Sequence, residues 1–121
     1  MAKIVLVDDH ADSREVVRQL LEAKGHSIIC CETAEEALAA IEREAPDAVI
    51  TDQRLPGMSG LDLLGVVRSR SLPVRVILTS ADDTRRDEAL AAGAWGFWLK
   101  GSDAIFDGID ALEAKLNHSA G

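Results

Sequence analysis

The sequence lacks any cluster of basic residues. Only 13 of its 121 residues are Lys or Arg, against 21 Asp and Glu, so its formal net charge is −8. The densest basic sites, Arg68 with Arg70 and the pair Arg85 and Arg86, have acidic neighbours nearby. A chain of this charge repels nucleic acid and anionic membrane surfaces, so we expect it to bind neither directly. An anion bound to it would need a metal ion or a single lysine as its counter-charge.

Cysteine pairs and long apolar segments are also missing. The two cysteines, Cys30 and Cys31, are adjacent, so on a strand they point to opposite faces and cannot form a structural disulfide. Neither belongs to a zinc-binding spacing. The apolar run at the N-terminus, residues 4–7, is too short for a signal peptide or a membrane span. We therefore expect a reduced, cytoplasmic protein with no membrane segment.

The sequence contains enough apolar residues to form a globular core. Hydrophobic residues make up 47% of the chain, which excludes disorder driven by low hydrophobicity. Its length is close to the commonest domain size, and no repeat, low-complexity segment or linker interrupts it. We expect one domain over residues 1–121.

Apolar runs that are typical of buried strands alternate with segments of helical periodicity. The predicted strands cover residues 3–7, 27–31, 48–51, 74–79 and 94–100. The residues predicted to begin the five helices are Asp12 (with Glu15), Thr33, Ser59 (with Asp62), Asp82 or Asp83, and Ser102 or Asp103. Strict alternation predicts a parallel sheet with right-handed crossovers and helices on both faces. The predicted fold class is α/β, a doubly wound (βα)5 three-layer sandwich with a parallel five-stranded sheet. If strands one and three are neighbours, as in the strand order 2-1-3-4-5, the side chains that follow them come close together.

Polar side chains follow the carboxyl ends of four predicted strands, and parallel strands bring these ends to one edge of the sheet. They are Asp8 and Asp9 after strand one, Asp52 after strand three, Thr79 and Ser80 after strand four, and Lys100 after strand five. Clustered carboxylates need protons or a cation. Because the donors are all oxygen, the expected ion is Mg²⁺. A metal, an ammonium and a hydroxyl together suit phosphoryl transfer, with Asp52 as a candidate nucleophile.

Four motifs, in this order and at these spacings, resemble the receiver domain of two-component response regulators, and the resemblance covers essentially the whole chain. They are residues 5–9 (VLVDD), 47–60 around Asp52, 78–80 (LTS) and 93–100 (GAWGFWLK). The resemblance implies that Asp52 accepts a phosphoryl group from a histidine kinase or a phosphotransfer protein. It also implies that Asp9 and Asp52 bind Mg²⁺ directly and Asp8 mainly through water, while the backbone carbonyl of Arg54 supplies another oxygen.

The remaining implied roles concern the response to phosphorylation. Thr79 would contact the phosphoryl group, Lys100 would form an ion pair with it, and Phe97 would be the aromatic switch residue. Helix four, strand five and helix five would then present an altered surface to a protein target, and a homodimer could form. The chain would act as an enzyme only toward its own Asp52.

The residue after Lys100 departs from the family pattern. Receiver domains usually have proline there, often after a cis peptide bond, whereas this chain has Gly101. A cis bond without proline costs about 2.5–4 kcal/mol, so we predict a trans bond and a more mobile loop. This leaves the position of Lys100 less firmly determined.

Several aromatic and histidine residues allow two interpretations. Alternation along strand five predicts Trp95 and Phe97 on one face and Trp98, as a core residue, on the other. Trp95 could contact a partner or pack against helix four, and Phe97 could be only a core residue. His10 could be a metal ligand, although a solvated histidine is the simpler reading. His26 and His118 are predicted to lie on the surface.

Three other classes of protein compete with a phosphorylated receiver. A pseudo-receiver would keep the fold as an interaction module without phosphorylation, but all of the residues needed for the chemistry are present. An aspartate-nucleophile phosphatase would carry a second acid two residues after the nucleophile, where this chain has Arg54. A flavin-binding protein would need a Ser/Thr/Gly-rich phosphate loop after strand one, which is missing.

Overall fold

The computed structural model of the protein describes residues 2–100 and 104–120, with side chains at 2–100 and 107–115. The strands are β1 (Lys3–Val7), β2 (Ser27–Cys31), β3 (Ala48–Asp52), β4 (Arg75–Ser80) and β5 (Gly96–Leu99). The helices are α1 (Ala11–Ala23), α2 (Ala34–Glu44), α3 (Gly60–Ser69), α4 (Arg86–Ala91) and α5 (Ala104–Ala120). The predicted strict alternation of strands and helices is confirmed.

The five strands form one parallel sheet in the order β2-β1-β3-β4-β5, as predicted. β3 is the central strand, and all five of its residues are buried. Neighbouring strands are aligned in register, so Val7 lies opposite Thr51 of β3 and Asp52 lies opposite Thr79 of β4. The carboxyl ends of β1, β3 and β4 therefore meet at one edge of the sheet.

Helices cover both faces of the sheet, and each face has its own apolar core. On one face Val49 and Leu78 pack with Leu38 of α2 and Leu64 of α3. On the other face Ile50 and Ile77 pack with Leu21 of α1 and with Ile109 and Leu112 of α5. None of the helices in the described part of the chain is both long and apolar enough to cross a membrane.

Of the five predicted helix starts, two are confirmed, two are wrong, and the fifth, at Ser102 or Asp103, lies outside the described residues. Thr33 accepts the backbone N–H of Glu36 at 3.1 Å, and Ser59 forms a complete capping box with Asp62. α1 begins one residue after His10, without a side-chain cap, and not at Asp12.

The start of α4 lies further along the chain than predicted. Its N-cap is Arg85, not Asp82 or Asp83. The carboxylate of Asp82 instead accepts both the backbone N–H and the hydroxyl of Thr84, at 3.1 and 2.7 Å. This local turn competes with helix formation, because a short acidic side chain can satisfy nearby donors without a helix.

The two aromatic residues inside β5 pack on opposite faces. Phe97 and Trp98 are 5% and 6% exposed, and Trp98 is a core residue as predicted. Trp95 packs with the Trp98 core, not on the Phe97 face. The prediction for Trp95 was wrong because β5 begins at Gly96, so strand alternation does not extend back to Trp95.

The side chain of His26 is largely buried, contrary to the prediction of a surface position. Its side chain is 8% exposed, Nδ1 accepts the backbone N–H of Ala2 at 3.1 Å, and Nε2 lies 2.8 Å from Oε1 of Glu113. His26 therefore joins the start of β1 to α5. The prediction for the His118 side chain lies outside the described residues.

Both cysteines are free, and the buried one is unreactive. Cys30 is exposed and Cys31 is buried. Burial raises the pKa of both thiols, that of Cys31 to about 11. Since the thiolate is the nucleophile, Cys31 stays protonated and inert near neutral pH.

Two glycines of α3 give matched predictions for stability. A Cβ at Gly60 would lie 2.7 Å from the backbone oxygen of Asp52, whereas a Cβ at Gly65 would meet nothing within 4 Å. We expect Gly60→Ala to lower the free energy of unfolding by about 1–3 kcal/mol, because backbone atoms must move. Gly65→Ala should raise it by roughly 0.5–1 kcal/mol through helix propensity.

Urea unfolding of both variants checks this pair. The close approach of α3 to β3 would be contradicted if Gly60→Ala were as stable as Gly65→Ala.

Candidate functional site

Three polar side chains lie buried at the carboxyl edge of the sheet. Asp8 follows β1, Asp52 ends β3 and Thr79 lies in β4, and they are 4%, 6% and 5% exposed. Because β3 is the central strand, Asp52 lies between the other two. The predicted convergence of these residues is what the structure shows. Ser80 is also buried at this edge, as the last residue of β4.

Lys100, immediately after β5, completes the group. Its Nζ donates to Oδ2 of Asp52 at 2.9 Å and to Oδ2 of Asp8 at 3.2 Å. Partial burial lowers the pKa of Lys100, but the hydrogen bonds and charges of Asp52 and Asp8 outweigh this and raise it above its ordinary value. The ammonium therefore stays charged and bridges two strand ends. The prediction for the Lys100–Gly101 peptide falls on residues outside the described part of the chain.

The carboxylates form a group that could hold a cation. One ligand atom from each of Asp8, Asp9, His10 and Asp52 lies within 4.8 Å of the others. Three carboxylates face one ammonium, so the group is short of positive charge. Carboxylate oxygens are the ligands that Mg²⁺ prefers, usually one or two together with water. The donor set therefore fits a divalent cation with Asp8, Asp9 and Asp52 as its oxygen ligands.

Two residues that the sequence analysis did not single out support this edge. The guanidinium of Arg14, in the first turn of α1, donates to the backbone carbonyl of Asp8 at 2.6 Å. The side-chain oxygen of Gln53 accepts the backbone N–H of Leu61 at 2.9 Å and ties the strand end to α3. Only their positions in the sequence could have indicated these roles. Arg14 lies one turn into the helix that follows the acidic pair, and Gln53 directly follows Asp52.

Arg54 lies in the exposed loop that follows β3. It lines a cleft of about 290 Å³ between this loop and the segment after β4. The other lining residues are Gln53, Leu55, Ser59, Ser80, Asp82, Thr84 and Arg85. The role of the Arg54 carbonyl as a metal ligand stays a prediction. The cleft therefore lies next to the strand end that carries Asp52, since Gln53, the residue after it, is part of its lining.

Phe97 is turned into the core beneath α4. Its ring packs with Leu78 of β4, and the guanidinium of Arg86 lies 5.4 Å from the ring centroid. This distance is within the range of a cation–π contact. The side chain thus joins β5 to the first residue of α4, two strands away from Asp52.

Removal of the Lys100 charge gives a third prediction. We expect Lys100→Met to lower the free energy of unfolding by about 1–3 kcal/mol without metal, since Asp8 and Asp52 would face each other unpaired. Because the pKa of Lys100 is raised in the folded state, the loss should persist at every pH below about 10.4 and shrink above it. Added Mg²⁺ should restore part of the lost stability.

The control for this variant is Lys24→Met. Lys24 is more exposed and pairs with Asp110 at 3.3 Å, so its loss should change stability by at most about 0.5 kcal/mol. Urea unfolding at neutral and alkaline pH measures both variants. Equal stability of Lys100→Met and the unmodified protein would contradict the bridging role.

Comparison with known proteins identifies similar chains. A family profile described as the response regulator receiver domain matches residues 4–110. The chain is 37% identical over 122 residues to the response regulator protein FleR of Pseudomonas aeruginosa, which aligns with 99% of this chain and 25% of FleR. It is 41% identical over 106 residues to the sensory/regulatory protein RpfC of Xanthomonas campestris, covering 81% of this chain and 14% of RpfC. The chain thus spans a quarter or less of these two relatives.

A solved structure shares the fold over nearly the whole chain. The crystal structure of a two-component response regulator of the LuxR family from Aurantimonas superposes with a TM-score of 0.86 at 31% identity. The alignment covers 98% of this chain and 86% of that one.

Proposed function

The chain belongs to the response regulator receiver domain family, and from the geometry of its acidic edge we propose that it is a phosphoacceptor receiver of a two-component phosphorelay. Asp52 accepts the phosphoryl group from a histidine kinase or a phosphotransfer protein, with Mg²⁺ as cofactor. The observation that carries the proposal is the convergence of Asp8, Asp9, Asp52, Thr79 and Lys100 at one edge of the sheet.

The reaction follows from where these groups lie. The Asp52 carboxylate attacks phosphorus, a P–O bond forms, and the P–N bond to the donor imidazole breaks in line with it. Lys100, which already contacts Asp52 Oδ2 at 2.9 Å, neutralises charge on the transferred group. The hydroxyl of Thr79, on the strand position opposite Asp52, is the neighbouring donor. Bound Mg²⁺ would supply electrostatic stabilisation of the phosphoryl oxygens, held by Asp8, Asp9, Asp52 and the Arg54 carbonyl.

The output of the switch is a change in the α4, β5 and α5 surface. Thr79 moves toward the phosphoryl group and the ring of Phe97 responds. The two residues lie on the neighbouring strands β4 and β5, where Phe97 pairs with Leu78, the residue before Thr79. A protein target, and on phosphorylation a second copy of the chain, would recognise the altered surface. The net charge of −8 supports a protein target and opposes direct nucleic-acid binding. We place the protein in the cytoplasm, where histidine kinases present their phosphoryl groups.

In this function the chain catalyses reactions only at its own Asp52. The same groups that assist phosphorylation assist hydrolysis of the aspartyl phosphate, and no external metabolite is the substrate. The chain is therefore a switch that resets itself, not an enzyme in the usual sense.

Phosphorylation with a small acyl phosphate tests the proposal without a kinase. The chain is incubated with the donor and Mg²⁺, and phosphoprotein is separated on a gel that retards it. We expect up to one phosphoryl group per chain, lost when a chelator removes Mg²⁺ and restored when Mg²⁺ is added in excess. Equal modification in chelator would overturn the role of the metal.

A pseudo-receiver is the second candidate function. It would share the fold and the output surface but would remain unmodified under the same conditions. The acidic cluster, in which Asp8 and Asp52 are buried, argues against it, because three carboxylates beside a single ammonium are costly unless they hold a cation or react. Failure of both Mg²⁺ binding and modification would establish the pseudo-receiver instead.

A further inference from the structure

His10 lies closer to the acidic cluster than a freely solvated side chain requires. Its ring Nδ1 is 3.2 Å from Oδ1 of Asp9 and 3.6 Å from Oδ1 of Asp8. Its backbone N–H donates to the same Asp8 oxygen at 2.9 Å, which fixes the residue at the start of α1. The side chain is 71% exposed, so solvent and ions can reach it. The side chain is solvated, as the simpler prediction for His10 states, but its ring nitrogen also lies beside two carboxylates.

The spacing of these atoms matches that of ligands sharing one ion. Two ligand atoms about 2.1 Å from a metal lie roughly 3.0 Å apart at an octahedral angle and 3.4 Å apart at a tetrahedral angle. The separations of 3.2 and 3.6 Å from Nδ1 to the two carboxylates lie close to this range. A small movement of an exposed side chain would complete the geometry.

A nitrogen donor changes which ions such a site prefers. Mg²⁺ is hard, binds oxygen and dehydrates reluctantly, so an imidazole adds little to its affinity. Imidazole suits Zn²⁺, Ni²⁺, Cu²⁺ and Fe²⁺, whose affinities for mixed nitrogen and oxygen sites exceed that of Mn²⁺. The residue beside the acidic pair therefore determines how strongly the site discriminates between the two classes of ion.

We propose that His10 is a fourth ligand at the acidic cluster and gives it a preference for imidazole-binding transition-metal ions over Mg²⁺. The inference rests on the proposed function only in taking Asp8, Asp9 and Asp52 as the ligands of a divalent ion. It adds a nitrogen donor from this chain's own sequence and a consequence for the identity of the bound ion.

Calorimetric titration with Mg²⁺ and Ni²⁺, above the pH at which histidine protonates, tests the proposal. The proteins are the unmodified chain, His10→Gln and Asp52→Asn. We expect Ni²⁺ to bind the unmodified chain more tightly than Mg²⁺. His10→Gln should weaken Ni²⁺ binding roughly tenfold or more, since even outer-shell partners of a metal contribute 10–100-fold, and should leave Mg²⁺ affinity within about twofold. Asp52→Asn should weaken both ions, which assigns them to this site and not to Cys30 or His26.

A second measurement observes the histidine signals of the unmodified chain directly and uses the variant only to assign them. Zn²⁺ should shift the Nδ1 resonance of one histidine in long-range ¹H–¹⁵N spectra, and that signal should be absent from His10→Gln. A shift of another histidine alone, or of none, would overturn the proposal. So would equal Ni²⁺ affinity of His10→Gln and the unmodified chain.

The two proposals fail in different ways. If Mg²⁺ does not bind but Ni²⁺ binding depends on His10 and Asp52, the metal inference stands and the phosphoacceptor function falls. If Mg²⁺ binds normally and His10→Gln leaves the Ni²⁺ affinity unchanged, the contact between His10 and Asp9 is only a hydrogen bond. In that case the further inference alone is refuted.

Discussion

Replacement of Asp52 by asparagine should abolish phosphoryl acceptance. The amide is neutral and a poor nucleophile, and it also removes one of the two carboxylates that hold the Lys100 ammonium. We expect no incorporation above background from a small acyl phosphate or from a phosphorylated kinase. Stability should change little, because the variant relieves repulsion between Asp52 and Asp8. Gel retardation and intact-protein mass measure the modification, and urea unfolding confirms that the variant is folded.

Asp47→Asn provides the matched control on the same strand. Asp47 precedes β3 at its amino end, where its carboxylate accepts the backbone N–H of Lys3 at 2.9 Å. It lies at the opposite edge of the sheet from Asp52, so the variant should be modified as fast as the unmodified chain. Undiminished modification of Asp52→Asn, or equal loss in both variants, would contradict the assignment of Asp52.

Replacement of Gly108 by alanine should cause the largest loss of stability through packing. A Cβ at this position of α5 would lie 2.2 Å from the Trp98 ring. The ring is 6% exposed and cannot turn away within the core. Overpacking of this kind costs about 1–3 kcal/mol or more, which exceeds the gain of roughly 0.5–1 kcal/mol expected from removing a helical glycine. Thermal unfolding should show a fall of about 3–6 °C for each kcal/mol lost.

A double-mutant cycle isolates the contact between the helix and the ring. Trp98→Leu removes the indole and leaves space for a methyl group at residue 108, so Gly108→Ala should cost much less in that background. We expect a coupling free energy of about 1–2 kcal/mol, within the range of residues in direct contact. Additive losses would show that Gly108 is needed for some reason other than the approach of α5 to Trp98.

The arrangement of the site could be predicted from the sequence because it depends on strand ends. Asp8, Asp52, Thr79 and Lys100 each follow an apolar run, and parallel strands place such positions at one edge whatever the details of packing. The N-caps at Thr33 and Ser59 could be predicted for a similar reason, since each depends on residues three positions apart.

What the sequence could not supply depends on contacts between distant segments. The side chain of His26 contacts Glu113, which lies 87 residues away in the sequence, and no local pattern indicates such a contact. The face of the sheet on which Trp95 packs depends on where β5 begins, and residue propensities locate the ends of strands poorly. The start of α4 was misplaced because Asp82 satisfies Thr84 within a turn. The position of the His10 ring beside Asp9 depends on the rotamer of one exposed side chain, which the sequence does not determine.

The central claim is that Asp52 itself carries the phosphoryl group, and chemical trapping tests it most directly. Borohydride reduces an aspartyl phosphate to homoserine, and tandem mass spectrometry of the peptides locates the reduced residue. The account predicts homoserine at position 52 after treatment with phosphodonor and Mg²⁺, with Asp8 and Asp9 unchanged. An unmodified Asp52 in a phosphorylated chain, with the label on another side chain, would contradict it.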